Sequence, residues 1–252
     1  MRKGLNELAL FAGGGGSILA GCLLDWRTRC AVEIDAGARQ IILDRQRDRV
    51  IDRFPIWDDI RTFDGKTWKG SIDIITGGFP CQDISQCWKG AGITGKRSGL
   101  WDEMSRVIGE VQPRITFIEN SPLLVKRGFC RVLADLAKMG MYAQWGCFRA
   151  SEAGACHQRE RIFILAYSDR KFLESLDFQE PKRFDQEESR RRQFTRAVDA
   201  ALHEDDYTSM SRDPNVLARG MDGLRTTGNG WVPIMAARAF KSLVIAAIKE
   251  GS

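Results

Sequence analysis

The sequence predicts an α/β fold, a mostly parallel β-sheet with helices on both faces. Two observations carry this. Over the first two-thirds of the chain, short apolar runs of strand length alternate with amphipathic stretches of helical length. The residues able to do chemistry recur just after the apolar runs, where open α/β sheets bind ligands. With 252 residues there is material for one sizeable core, and no internal repeat or low-complexity linker divides it.

Strands are expected over 7–11, 30–34, 72–76, 115–119, 141–148 and 162–167, and helices over 17–24, 36–48, 101–111 and 129–139. The last two strands are joined by an irregular link and suit an antiparallel hairpin at the sheet edge. From 168 to 222 charges dominate, as in Glu187-Glu188-Ser189-Arg190-Arg191-Arg192, and apolar periodicity is poor. This stretch reads as a short charged insert between a core over 1–167 and a returning segment over 223–252. Residues 232–249 are apolar at helical spacing with Pro233 near the start, as helix N-termini allow.

Composition excludes several classes. The chain is 43% hydrophobic and 28% charged, with no apolar run near the roughly 20 residues that span a bilayer. No signal-peptide pattern opens it, so a cytoplasmic protein without membrane contact is expected. Seven scattered cysteines without a Cys-x-x-Cys pair, and only two histidines, argue against a structural metal and a disulfide framework. The net charge of +5 permits a polyanionic partner.

Phe11-Ala12-Gly13-Gly14-Gly15-Gly16 follows the first strand, where glycines let the backbone approach a ligand. The dinucleotide pattern G-x-G-x-x-G fails, because its third glycine would fall on Ile18. The second strand ends in Glu33-Ile34-Asp35. Either acid suits ribose hydroxyls, and Glu33 is closer to the strand. Asp58-Asp59-Ile60 adds carboxylates that could meet an adenine amino group. Together these describe a nucleoside pocket.

The third long strand runs into Gly77-Gly78-Phe79-Pro80-Cys81-Gln82, so that Cys81 ends a central strand. A nucleophilic thiol needs a lowered pKa or a helix N-terminus nearby. The segment 83–98 is rich in Gly, Ser and Lys and suits a closing loop. Glu119-Asn120 puts a carboxyl at the end of a buried apolar strand, which is costly unless it is paired or used. In His157-Gln158-Arg159-Glu160-Arg161, two arginines at alternate positions precede a strand and suit phosphate or base contacts.

In this order the motifs resemble those of the cytosine-C5 DNA methyltransferases. Phe11–Gly16 is similar to that family's cofactor loop, Glu33 to its ribose-binding acid, and Asp59-Ile60 to its adenine contact. Pro80-Cys81-Gln82 matches its catalytic motif, Glu119-Asn120 its base-recognising motif, and 157–161 its Gln-x-Arg-x-Arg motif. Gly228-Asn229-Gly230-Trp231-Val232-Pro233 resembles its Gly-Asn-x-Val-Val-Pro motif. His157, Ser121 and Trp231 depart from the usual glutamine, valine and small aliphatic residue. The interval holding the family's target-recognition domain is only about 60 residues long here.

The resemblance implies a Rossmann-like S-adenosylmethionine-dependent methyltransferase fold. It also implies methyl transfer to C5 of cytosine through a covalent adduct between Cys81 and C6 of a flipped-out base. Catalytic roles fall to Cys81, Glu119 and Arg159. S-adenosylmethionine would lie against Phe11, Gly13, Gly14, Gly15, Gly16, Glu33, Ile34, Asp59, Ile60, Pro80, Leu100 and Asn229, with no metal. Gln82, Ser85, Asn120 and Arg161 would contact the nucleic acid. Double-stranded DNA is the implied partner, and a cognate restriction endonuclease is left open. Two other readings compete: an RNA cytosine-C5 methyltransferase, and a catalytically silent cofactor-binding homologue.

Overall fold

A computed structural model describes residues 4–80, 99–153, 159–176 and 231–249. Seven strands form one sheet: β1 (Asn6–Leu10), β2 (Arg27–Val32), β3 (Ile56–Trp57), β4 (Ile74–Gly77), β5 (Ile115–Asn120), β6 (Tyr142–Arg149) and β7 (Glu160–Tyr167). Their spatial order is β3-β2-β1-β4-β5-β7-β6. The first five run parallel, and β7 is antiparallel to both β5 and β6. The expected hairpin at the sheet edge is present, with β6 outermost.

The helices are α1 (Gly16–Leu23), α2 (Ala36–Arg47), α3 (Leu100–Val111), α4 (Leu124–Arg127), α5 (Phe129–Lys138), α6 (Arg170–Glu174) and α7 (Pro233–Lys249). The β1–β2, β2–β3 and β4–β5 crossovers carry α1, α2 and α3 back over the sheet, as βαβ geometry requires, while the β3–β4 connection holds only the 3-10 turns Ile60–Thr62 and Lys66–Trp68.

Alternation along the strands feeds three core clusters on the two faces of the sheet. On β7, Ile162, Ile164 and Ala166 pack with Trp101, Met104 and Val107 of α3 and Val132 and Leu136 of α5. Phe163 and Leu165 face the other way, onto Met235, Phe240 and Val244 of α7. Ala9 of β1 and Ala31 of β2 are small, and over them lie Ile18 and Leu19 of α1 and Ile42 of α2. The sheet is therefore covered on both faces.

Two details differ from the expectations. β3 is a two-residue strand that was not foreseen, because Ile56-Trp57 is too short to show a period. The core also continues past Tyr167: Leu173 of α6 is fully buried among residues of α7, so the stretch beginning at 168 opens with core structure. Among the described residues, no helix is long and apolar enough to cross a membrane.

Candidate active site

The register brings the carboxyl ends of the central strands side by side: Leu10 pairs with Val32 and Gly77, and Gly77 with Ile118. Four loops therefore open at one end of the sheet, beginning at Phe11, Glu33, Gly78 and Ser121. Strand β7 runs the opposite way, so its amino end lies at that same edge, with Ile162 opposite Asn120. This is why an Arg-x-Arg motif ahead of a strand meets a Glu-Asn motif behind one.

The first loop is built on unusual backbone. Phe11 has φ 51°, uncommon for a residue with a side chain, while Gly13 and Gly15 have φ 53° and 90°. A Cβ on Gly13 would meet nothing within 4 Å, so the loop presents open space beside its backbone. The Gly13 N–H donates to Glu33 Oε2 (2.7 Å), and the Asp35 N–H donates to Glu33 Oε1 (2.8 Å). Asp35 instead caps α2, accepting from the Ala38 N–H. Of the two acids at this strand end, Glu33 is the one joined to the glycine loop. Ile34 beside it is 63% exposed, an apolar side chain left open at the pocket rim.

Asp59 and Ile60 flank the same region with different exposures. Asp59 accepts from the Arg61 backbone N–H and pairs with its guanidinium (Nη2 to Oδ2, 2.6 Å). These bonds hold its carboxyl below the usual carboxylate range. The Ile60 side chain is buried in the core, which leaves its backbone to face a ligand. Leu100 is half-buried at the start of α3, and Pro80 is exposed.

Around Gly78 the site is tight. Glu119 is 6% exposed at the end of β5, and Arg161 Nε lies 2.6 Å from its Oε1. Burial pushes the Glu119 carboxyl up to about 7, against the opposing pull of the Arg161 and Arg159 charges. Arg159 is itself partly buried, and desolvation together with the Arg161 charge pulls its pKa down. A Cβ on Gly78 would sit 2.9 Å from Trp231 Nε1 and 3.0 Å from Glu119 Oε2. Glycine is thus required here by lack of space. Trp231 packs edge-on against Phe117 and Phe163, and its carbonyl would lie 2.6 Å from a Cβ on Gly16. It therefore touches both the glycine loop and the Gly78 side.

Asn120 differs from the expectation that it contacts nucleic acid. It is 4% exposed, its amide donates to the Phe79 carbonyl (2.9 Å), and its Oδ1 accepts from the Ser121 N–H (2.8 Å). The side chain is spent on fastening the end of β5 to the segment just before Cys81. Cys81, Gln82, Ser85, His157 and Asn229 lie outside the described residues. Among the described residues no cluster of His, Cys, Asp or Glu could hold a metal ion. Sequence reasoning missed Arg39 and Arg45 of α2, whose guanidinium groups reach these loops; no motif marks them. It noticed Trp231 only as a departure from a motif.

Residues 5–217 match the model of the C-5 cytosine-specific DNA methylases. Type II methyltransferase M.CviJI of Paramecium bursaria Chlorella virus IL3A is 34% identical over 136 residues, covering 54% of this chain and 36% of that protein. Type II methyltransferase M.NgoMIV of Neisseria gonorrhoeae is 29% identical over 166 residues, covering 64% and 51%. The matches span between about a third and a half of these relatives' own lengths. Among solved structures, S. pombe Dnmt2 methyltransferase superposes with a TM-score of 0.54 at 18% identity, covering 84% of this chain and 57% of that one. That likeness is one of fold, the Rossmann-like methyltransferase fold with a mixed sheet. On the family match, which covers most of its length, this chain belongs to the C-5 cytosine-specific DNA methylases.

Proposed function

We propose that the chain methylates C5 of cytosine in double-stranded DNA, using S-adenosylmethionine and Cys81 as a covalent nucleophile. The observation that supports this best is Glu119. A carboxyl raised to about 7 and 6% exposed, beside two arginines and the Gly78–Pro80 segment, suits a group that protonates a bound base.

The pocket at the ends of β1 and β2 fits the cofactor. Its glycine loop has open space at Gly13, Glu33 is fixed at its edge, and an apolar side chain is exposed at Ile34. Phe11, the glycine loop, Glu33, Ile34 and Asp59 would hold the nucleoside, with Ile60 contributing backbone. S-adenosylmethionine supplies the methyl group when bound.

On the chain's side, the Cys81 thiolate forms a bond to cytosine C6. The C5–C6 π electrons then make C5 nucleophilic. Protonated Glu119 hydrogen-bonds N3 and passes its proton there as charge develops on the ring, taking it back when Cys81 leaves. Arg159 and Arg161 favour the carboxylate that results, and Arg159 would hold the base carbonyl or a phosphate. After C5 is methylated, loss of the C5 proton and expulsion of Cys81 restore the aromatic ring and the thiolate. A base in a duplex must leave the stack to reach the thiol, at a cost of a few kcal/mol. Gln82 and Ser85 are assigned to the DNA side.

Transfer of tritium from labelled cofactor to DNA and to RNA in one assay tests the reading. DNA labelling by the wild type that is lost in Cys81→Ala is expected. RNA labelling alone would move the substrate to RNA, and a Cys81→Ala rate equal to wild type would remove Cys81 from the mechanism.

A further inference from the structure

We infer that Arg39 and Arg45 of α2 are positioning residues for cofactor binding, closing the two loops of the nucleoside pocket into one hydrogen-bonded ring. The inference rests on the cofactor reading above and names what holds that pocket in shape.

The ring can be followed atom by atom. Arg45 Nη1 donates to the Gly14 carbonyl in the glycine loop. The neighbouring Gly13 N–H donates to Glu33 Oε2 (2.7 Å), crossing to the second loop. There Arg39 Nη1 donates to the carbonyls of Glu33 (3.0 Å) and Ile34 (2.7 Å), which leads back to α2. Asp35, inside the same turn, donates its N–H to Glu33 Oε1 and accepts the Ala38 N–H at the start of α2. Glu33 is thus held on both carboxylate oxygens and on its carbonyl.

Arg45 is unusual within this ring. It reaches the loop by lying over the region of Gly15, whose Cβ would come 3.5 Å from its Nη1 and 3.4 Å from Ile42. The guanidinium is largely buried, and that burial pulls its pKa down. Placing a charged group there costs free energy. An arginine that served only to pack α2 would be better replaced by an aliphatic side chain. What the guanidinium adds is a fixed donor on the Gly14 carbonyl. That bond fixes the plane of the Gly14–Gly15 peptide, one residue along from the Gly13 N–H that binds Glu33, and hence the direction in which the loop offers its backbone. The ring makes the ribose acid and the glycine loop one unit, so disorder in either loop would weaken the grip of both.

The test is calorimetric titration of the 252-residue chain with S-adenosylhomocysteine, which needs no DNA and no turnover. Arg45→Met is expected to weaken binding tenfold or more, and Arg45→Lys to recover part of it. Arg39→Met reads the same ring from its less buried side, and is expected to weaken binding severalfold even if Arg45→Met folds poorly. An unchanged Kd in Arg39→Met, or in a folded Arg45→Met, overturns the inference while leaving the cofactor reading standing. Failure of the wild type to bind S-adenosylhomocysteine overturns both.

Discussion

Arg161 Nε lies 2.6 Å from Glu119 Oε1, and the Glu119 side chain is only 7% exposed. Burial raises the proton affinity of Glu119 while the arginine lowers it, so its protonation is poised near neutrality at about 7. For the proton-donating role proposed for Glu119, this balance is the useful one. Replacing Glu119 with Gln keeps the shape and removes the transferable proton. The single-turnover rate with saturating cofactor should fall on the order of 10²–10⁴-fold, with S-adenosylhomocysteine affinity unchanged. A rate within a factor of two of wild type would rule out the role.

Arg161→Met removes one of the two charges that favour the Glu119 carboxylate. The carboxyl pKa should then rise further above its present value of about 7. In the proposed mechanism the protonated form is the active one, so the alkaline limb of the single-turnover pH profile should move to higher pH. A limb that stays put or moves down would show that Arg161 does not govern this proton.

Gly78→Ala should be damaging. Its methyl group would press on Trp231 Nε1 at 2.9 Å and on Glu119 Oε2 at 3.0 Å. Overpacking of this kind costs about 1–3 kcal/mol. The double variant Gly78→Ala, Trp231→Val opens the space, so its loss of stability should be smaller than the sum of the two single losses, measured by urea unfolding. Additive losses in the double variant would mean that the two positions do not meet as described.

Glu7, at the start of β1, is fully buried and bonded by the hydroxyls of Thr28 (2.7 Å) and Thr76 (2.7 Å) on the flanking strands. Burial raises its carboxyl to about 7 from 4.5. A raised pKa means that the folded state holds the proton more tightly than the unfolded one. The associated stability is fully present below about 4.5 and is lost as pH rises through about 7. The magnitude is roughly 3 kcal/mol. Glu7→Gln imitates the protonated acid, so its urea midpoint should change less between pH 5 and pH 8 than the wild type's, and should exceed it at pH 8. Equal slopes would contradict this account.

Much of this was legible in the sequence, for identifiable reasons. The strands β1, β4, β5 and β7 and the helices α2, α3 and α5 follow from apolar periodicity, which local chain geometry alone makes visible. The Glu119-Asn120 and Arg159-Glu160-Arg161 motifs could be read because each follows or precedes such a strand. Periodicity could not disclose the two-residue β3, nor that Leu173 belongs to the core, because neither segment is long enough to carry a pattern.

By itself, then, the sequence determined the α/β class, the order of the motifs and the acids and arginines that carry them. Only the tertiary structure decided which of these groups meet. It paired Arg161 with Glu119, tied Glu33 rather than Asp35 to the glycine loop, turned Asn120 inward to Phe79 and brought Trp231 against Gly78. The physical reason is that each partnership spans distant stretches of chain. Strand register and the reversed direction of β7 create these contacts, and no spacing along the chain encodes them.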